Sequence, residues 1–242
     1  MSLEMTDLAS STGVRWDDRA DFWIQQSLRQ IPLSGKTVLD VGAGTGSFTC
    51  YMARQGAKQV VALEPDLDGS GDGKGLAALA RRVEGLGLNN VTYRRDTFQS
   101  YEAGNGQFDI ILLHAVINHL DEAAVEVAHE AEWARERYRE LLEKAYRMLA
   151  PGGTLIIADA ARDNLYPKLG LRNPFAPTIE WNKHQNPKLW TTLLRQAGFE
   201  KIRLSWATPK RLRSIGALLN NRAAAFVLHS HFVLHATRPG NH

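Results

Sequence analysis

The ten residues Val38–Ser47 (VLDVGAGTGS) constrain the fold of this chain more than any other stretch. Apolar residues and one acid run into glycines at 42, 44 and 46. Such a run predicts a buried parallel strand that turns sharply into a helix. The turn needs backbone freedom and lets a ligand approach where a Cβ would block it. The helix behind it offers unpaired N–H groups and the positive end of its dipole. The spacing is G-x-G-x-G, and Ser47 stands where a dinucleotide-binding fingerprint wants its third Gly or Ala. Asp40 points the same way, because a carboxylate beside the loop repels a pyrophosphate and suits a ligand carrying a positive charge.

Composition narrows the class. A chain of 242 residues is natural for one α/β domain with insertions, and 44% apolar with 23% charged residues is ordinary for a globular protein. The single cysteine, Cys50, excludes an intramolecular disulfide and a cysteine-based metal site. No stretch approaches the ~18 apolar residues of a membrane span. The first ten residues lack a basic region followed by an apolar core, so the expected location is cytoplasmic. Net charge is +3, unevenly spread: residues 160–222 hold twelve Lys/Arg against three acids. That surplus is either a solvated face or an attraction for an anionic partner.

Apolar periodicity predicts a helix over 15–31 with Phe22, Trp23, Ile24 and Leu28 on one face. Strands follow at 37–41, 59–64, 91–95, 108–113, 154–158, 201–207 and 226–236. Helices are expected after the glycine turn, over 76–86, over 121–149 and over 188–197, and residues 68–75 form a glycine-rich loop. Alternating strands and helices give a doubly wound, mostly parallel sheet. We read one domain over 1–242: a helical lid at 15–35, a core at 36–207, and insertions at 160–188 and 208–222.

In an open α/β sheet, ligands bind beyond the C-terminal strand ends. Glu64, some twenty residues past the turn, is placed to accept from ribose hydroxyls. Asp96, followed by Thr97 and Phe98, is placed to accept from an adenine amino group, with Phe98 or Leu67 against the ring. These residues, with Asp40, Gly42, Gly44 and Gly46, make a nucleoside site. The set resembles motifs I to III of the class I S-adenosylmethionine (SAM)-dependent methyltransferases. Phe108–Leu120 resembles motif IV, Leu149–Ala158 the L-x-P-G-G turn into strand five, and Leu193–Glu200 the entry into strand six.

The resemblance implies a seven-stranded sheet with an antiparallel last strand, and transfer of a methyl group from SAM with no metal. It implies that His114 contacts the methionine part of SAM and stands with His119 as a catalytic candidate. His119 is the candidate general base, since imidazole titrates near neutrality. Substrate specificity is expected in the insertions, where Trp181, His184 and Arg211 are candidate acceptor contacts. Arg172, Lys183, Lys210 and Arg213 would join Arg211 around an acceptor with phosphate or carboxylate. The expected acceptor is the oxygen, in second place the nitrogen, of a small molecule or glycan. RNA or protein acceptors, and SAM binding without transfer, are the runners-up; nucleic acid and membrane insertion are not expected.

Overall fold

The computed structural model describes residues 18–28, 30–66, 74–207 and 219–240. Leu67, residues 68–73 of the expected glycine-rich loop, and Lys210, Arg211 and Arg213 lie outside the described residues, while Gly75 of that loop opens a helix. Seven strands run in the order β3 (Val91–Arg94), β2 (Gln59–Leu63), β1 (Thr37–Val41), β4 (Phe108–His114), β5 (Leu149–Ala160), β7 (His231–Thr237) and β6 (Glu200–Trp206). The chain divides into two compact units, Met1–Glu102 and Ala103–His242.

The first unit runs α1 (Asp18–Leu28), β1 (Thr37–Val41), α2 (Ser47–Arg54), β2 (Gln59–Leu63), α3 (Gly75–Gly85) and β3 (Val91–Arg94). β1 pairs parallel with β2, and β2 with β3. β1 and β2 are buried over four of their five residues, as continuous apolar runs dictate for strands covered on both faces. Cys50, Ala62, Leu79 and Val83 form a core between α2, β2 and α3. In α1, Phe22, Ile24 and Leu28 are buried, and Phe22 meets Trp23 edge to face.

The second unit runs β4 (Phe108–His114), α4 (Glu122–Val127), α5 (Glu132–Met148), β5 (Leu149–Ala160), α6 (Leu165–Lys168), α7 (Pro187–Gln196), β6 (Glu200–Trp206), α8 (Arg222–Val227) and β7 (His231–Thr237). Short 3-10 turns occupy Ile117–His119 and Trp181–Lys183. β4 pairs parallel with β5, and β7 lies antiparallel to both β5 and β6. The expected antiparallel last strand is therefore present. Among the described residues no helix is long and apolar enough to cross a membrane.

Two expectations are corrected. The helix foreseen over 121–149 is two helices. Asp121 caps the first, its carboxylate accepting from Ala124 N at 3.1 Å. Arg135 donates to Ala128 O at the break, and the Tyr138 hydroxyl donates to Ile117 O and Asp121 O. The Arg135 bond satisfies a carbonyl that a continuous helix would have used itself. The strand foreseen over 226–236 begins only at His231. Asn221 caps a helix instead, accepting from Ala224 N at 3.0 Å, and three alanines follow. Ser230, at φ +52°, turns the chain into β7.

Candidate functional site

The glycine turn of the first unit is built by backbone geometry. Gly42, Gly44 and Gly46 have φ of +67°, +53° and +83°, values that L side chains rarely adopt. Ala43 N donates to Leu63 O at 2.9 Å, and Gly46 N donates to Ala43 O at 2.9 Å. A Cβ on Gly46 would stand 2.3 Å from Leu79 Cδ1, whereas one on Gly44 would meet nothing within 4 Å. The turn is thus closed on the α3 side at Gly46 and open at Gly44, which is where a ligand can approach the backbone.

Carboxylates frame this opening. Glu64 is buried; its Oε2 accepts from Gly44 N at 2.6 Å and its Oε1 from Asp66 N at 3.0 Å. Each oxygen keeps a second lone pair for a ligand hydroxyl. Asp40 is buried and accepts from Thr49 Oγ1 at 2.6 Å. Burial raises its pKa to about 7; the Thr49 hydrogen bond works against the rise and the nearby Glu64 charge adds to it. Ser47 Oγ accepts from Arg82 at 2.6 Å, so the residue that departs from the dinucleotide register ties α2 to α3. Asp96 is partly exposed and held by Arg94 Nε at 2.5 Å. Thr97 and Ser100 exchange hydrogen bonds in a tight turn, and Phe98 is buried. All eight first-unit residues of the expected cofactor set therefore fall in one compact unit.

Sequence reasoning missed Thr49 and Asp66. Thr49 sits nine residues after Asp40, with no local signal that its hydroxyl would meet that acid. Asp66 adopts φ +54° and accepts from Leu76 N at 3.3 Å. The Pro65-Asp66 pair, a common turn signal, was the available clue.

In the second unit the candidate residues separate into two groups. His119 Nδ1 lies 2.8 Å from Glu122 Oε1, three residues along, with both side chains well exposed. Its Nε2 is 3.3 Å from Asn118 Nδ2. Lys183 joins Glu122 at 3.2 Å and Glu180 at 3.1 Å, and the His119 and Lys183 contacts hold the Glu122 carboxyl below its usual range. His114, at the end of β4, pairs in register with Ala158 of β5. Burial lowers its pKa to about 4, with Asp159 opposing the fall. Asp159 and His184 are both buried, with His184 Nδ1 at 3.2 Å from Asp159 Oδ1. That contact is off the line of a well-formed hydrogen bond. His231, opposite Ala160, is held neutral by burial and by neighbouring imidazoles. Trp181 is half-buried in the 3-10 turn beside His184.

The loops around this cluster are fixed by side chains. Asn164 Nδ2 donates to Leu228 O and Ser230 Oγ, and its Oδ1 accepts from Tyr166 N and Asn173 Nδ2. Gln185 donates to Val125 O at 2.5 Å, and Asn186 donates to Asp163 at 2.9 Å. Arg162 donates to Glu126 O and Asn182 O, and Lys168 pairs with Asp163. Several cations of the basic segment thus hold the insertion together. Arg172 likewise donates to Pro177 O. Among the described residues no three His, Cys, Asp or Glu side chains form a metal-holding group.

A parallel sheet whose first strand enters a three-glycine turn, with an acid at the end of the next strand touching that turn, defines a nucleoside-binding α/β protein. The family model described as a methyltransferase domain matches residues 16–204. The chain belongs to the class I SAM-dependent methyltransferases. It is 27% identical over 179 residues to a ubiquinone biosynthesis O-methyltransferase of Ruegeria pomeroyi, covering 71% of this chain and 62% of that protein. An arsenite methyltransferase of Aquipseudomonas alcaligenes is 32% identical over 136 residues, 54% of this chain and 34% of that one. The chain therefore spans less than two thirds of these relatives. Among solved structures, a Haemonchus contortus phosphoethanolamine N-methyltransferase 2 in complex with SAM has a TM-score of 0.63 at 18% identity, covering 93% of this chain and 53% of that one. A SAM-dependent methyltransferase from Aquifex aeolicus has a TM-score of 0.59 at 16% identity, covering 93% and 100%. At these identities the structures share the fold.

Proposed function

We propose that this chain transfers a methyl group from SAM to a hydroxyl oxygen of a small molecule or sugar, with nitrogen as the second choice of atom. The observation that carries the reading is the glycine turn, open at Gly44 and braced there by the Glu64 carboxylate. When bound, SAM supplies a methyl carbon on a positively charged sulfur, open to displacement from behind. Gly42, Gly44 and Gly46 let the nucleoside lie against bare backbone. Glu64 holds ribose hydroxyls, and Asp96, Thr97 and Phe98 frame the adenine. Asp40 places negative charge near a cationic ligand, and a bound sulfonium or ammonium would draw its pKa back down.

The acceptor side is assigned to the second unit, with His114, His119, Trp181 and His184 as its described candidates and Arg211 in the basic segment. Aligning the acceptor oxygen with the methyl and sulfur supplies most of the rate, since orientation alone contributes about 7–11 kcal/mol. A hydroxyl of low acidity also needs a base. The similarity to the Ruegeria O-methyltransferase supports oxygen as the accepting atom. A ribosomal RNA large subunit methyltransferase of Aeromonas hydrophila, 29% identical over 126 residues, keeps RNA as the rival acceptor.

Calorimetry with SAM, S-adenosylhomocysteine and NAD, followed by a methyl-transfer assay on catechols, sugars, amines and RNA, tests the reading. We expect SAM and S-adenosylhomocysteine to bind, NAD to fail, and a small hydroxyl acceptor to be methylated. NAD binding without SAM binding would overturn the cofactor assignment. Turnover of RNA alone would overturn the acceptor class, and SAM binding with no transfer to any acceptor would point to a binding protein.

A further inference from the structure

The second unit offers four imidazoles near one buried carboxylate, and their surroundings separate them. Asp159 is the next-to-last residue of β5, in register with Phe232, and its Oδ1 also accepts from Ala160 N at 2.7 Å. His114 closes β4 on one side, and His231 opens β7 on the other. Burial disfavours protonation of both. His229 lies edge to face with His231 at 4.6 Å, and its backbone carbonyl faces His231 Nδ1 at 2.7 Å. His119 pairs with a carboxylate too, but both side chains of that pair are well exposed, where water and salt weaken the coupling.

His184 combines the features that the others hold singly. Its Nδ1 is shut off from solvent and faces Asp159, which favours the tautomer with the proton on Nδ1 and leaves Nε2 to accept. The segment that carries it is clamped from both sides. Gln185 is hydrogen-bonded to Val125 O, Asn186 to Asp163, and Lys183 is ion-paired with Glu122 and Glu180. A side chain held this way keeps its position without spending conformational freedom at each turnover.

We propose that His184 is the general base of the transfer and Asp159 its positioning residue. The assignment rests on the oxygen-transfer reading above. His184 Nε2 takes the proton of the acceptor hydroxyl. The freed oxygen pair forms the O–CH3 bond while the C–S bond breaks and its electrons stay on sulfur. The products are the methyl ether, S-adenosylhomocysteine and an imidazolium beside the Asp159 carboxylate, which then releases its proton to solvent. Charged and titratable groups of this cluster include Asp159 from β5, His231 and His229 from the entry to β7, His114 from β4, Tyr138 from α5, His129 beside Gln185, and Lys183 with Glu122 and Glu180 at the 3-10 turn.

The test compares two acceptors, protocatechuate and 4-nitrocatechol, the second already ionised at pH 8. In His184→Gln we expect kcat/KM for protocatechuate to fall about 10²–10⁴-fold. The loss for 4-nitrocatechol should be at least tenfold smaller. SAM affinity by calorimetry should stay within threefold, which also reports that the variant folds. Asp159→Asn should lower kcat with KM unchanged. Equal losses for both catechols, or protocatechuate turnover undiminished in His184→Gln, would overturn the assignment while leaving the oxygen-transfer reading intact. Wild-type enzyme that binds SAM but methylates neither catechol nor any other hydroxyl would overturn that reading, and the base with it.

Discussion

The glycine turn at 42–46 and the insertion at 160–188 do the same job by opposite means. Both fix irregular chain beside a strand end. In the turn, positive φ values and main-chain hydrogen bonds set the shape, and side chains are largely absent. In the insertion, asparagine, glutamine and arginine side chains reach across tens of residues to bind carbonyls. A backbone-built site is intolerant of any added atom. A site built from side chains can distribute its cost where one acceptor has more than one donor. Leu228 O, for example, accepts from both Asn164 and Asn173.

The contrast can be broken by substitution. Gly46→Ala should have the largest effect, since a Cβ there overlaps Leu79 and is forced into a left-handed backbone. Strain of that kind costs about 1–3 kcal/mol before the overlap is counted. A thermal melt should show it, at roughly 2–4 °C per kcal/mol for a chain of this size, and SAM affinity should fall with it. Asn164→Ala comes next. It removes four hydrogen bonds from a fully buried side chain and should cost about 1–3 kcal/mol. Its SAM affinity should be unchanged; if SAM binding weakens as much as for Gly46→Ala, the two sites are not built independently. Gly44→Ala should be milder in the melt than Gly46→Ala, with open space around the new methyl group, yet should still weaken SAM binding.

The smallest effect is the most diagnostic, because the two regions titrate in opposite senses. Asp40 has a pKa raised from 3.8 to about 7, so folding favours its protonated form. The stability this gives is full below pH ~4 and is lost as pH rises through ~7. His114 has a pKa lowered from 6.5 to about 4, so folding favours its neutral form. The stability it gives is full above pH ~6.5 and is lost as pH falls through ~4. Asp40→Asn should therefore raise the melting temperature at pH 8 more than at pH 4. His114→Gln should instead flatten the acid side of the profile. A wild-type profile unchanged by either substitution would mean that neither group is buried as described.

These differences also explain what the sequence disclosed. A left-handed turn can be built cheaply only with glycine, so Gly42, Gly44 and Gly46 announce the turn in the chain itself. β1, β2 and β4 were legible for a similar reason, since strands covered on both faces must be continuously apolar. The break at 128–131 was not legible. It depends on Arg135 reaching back to the Ala128 carbonyl, and a periodic helix pattern contains no sign of that. Nor was the Asp159–His184 pairing legible. The residues lie 25 positions apart on a strand end and a loop, and only the fold of the intervening insertion joins them. The overlong reading of the last strand came from counting Phe226 and Val227 as strand apolars, while Asn221 and three alanines had already committed them to a helix.

The position of β7 has a consequence in time. β6 leaves the ribosome before β7, yet β7 is the strand that stands between it and β5. Until His231–Thr237 has been synthesised, β5 presents an unpaired edge and β6 has no neighbour in the sheet to dock on. Exposed edges of this kind invite pairing with other chains. The second unit therefore cannot complete its sheet as the chain emerges. It must wait for its last strand, which brings Phe232, Val233 and Leu234, all nearly inaccessible in the finished sheet.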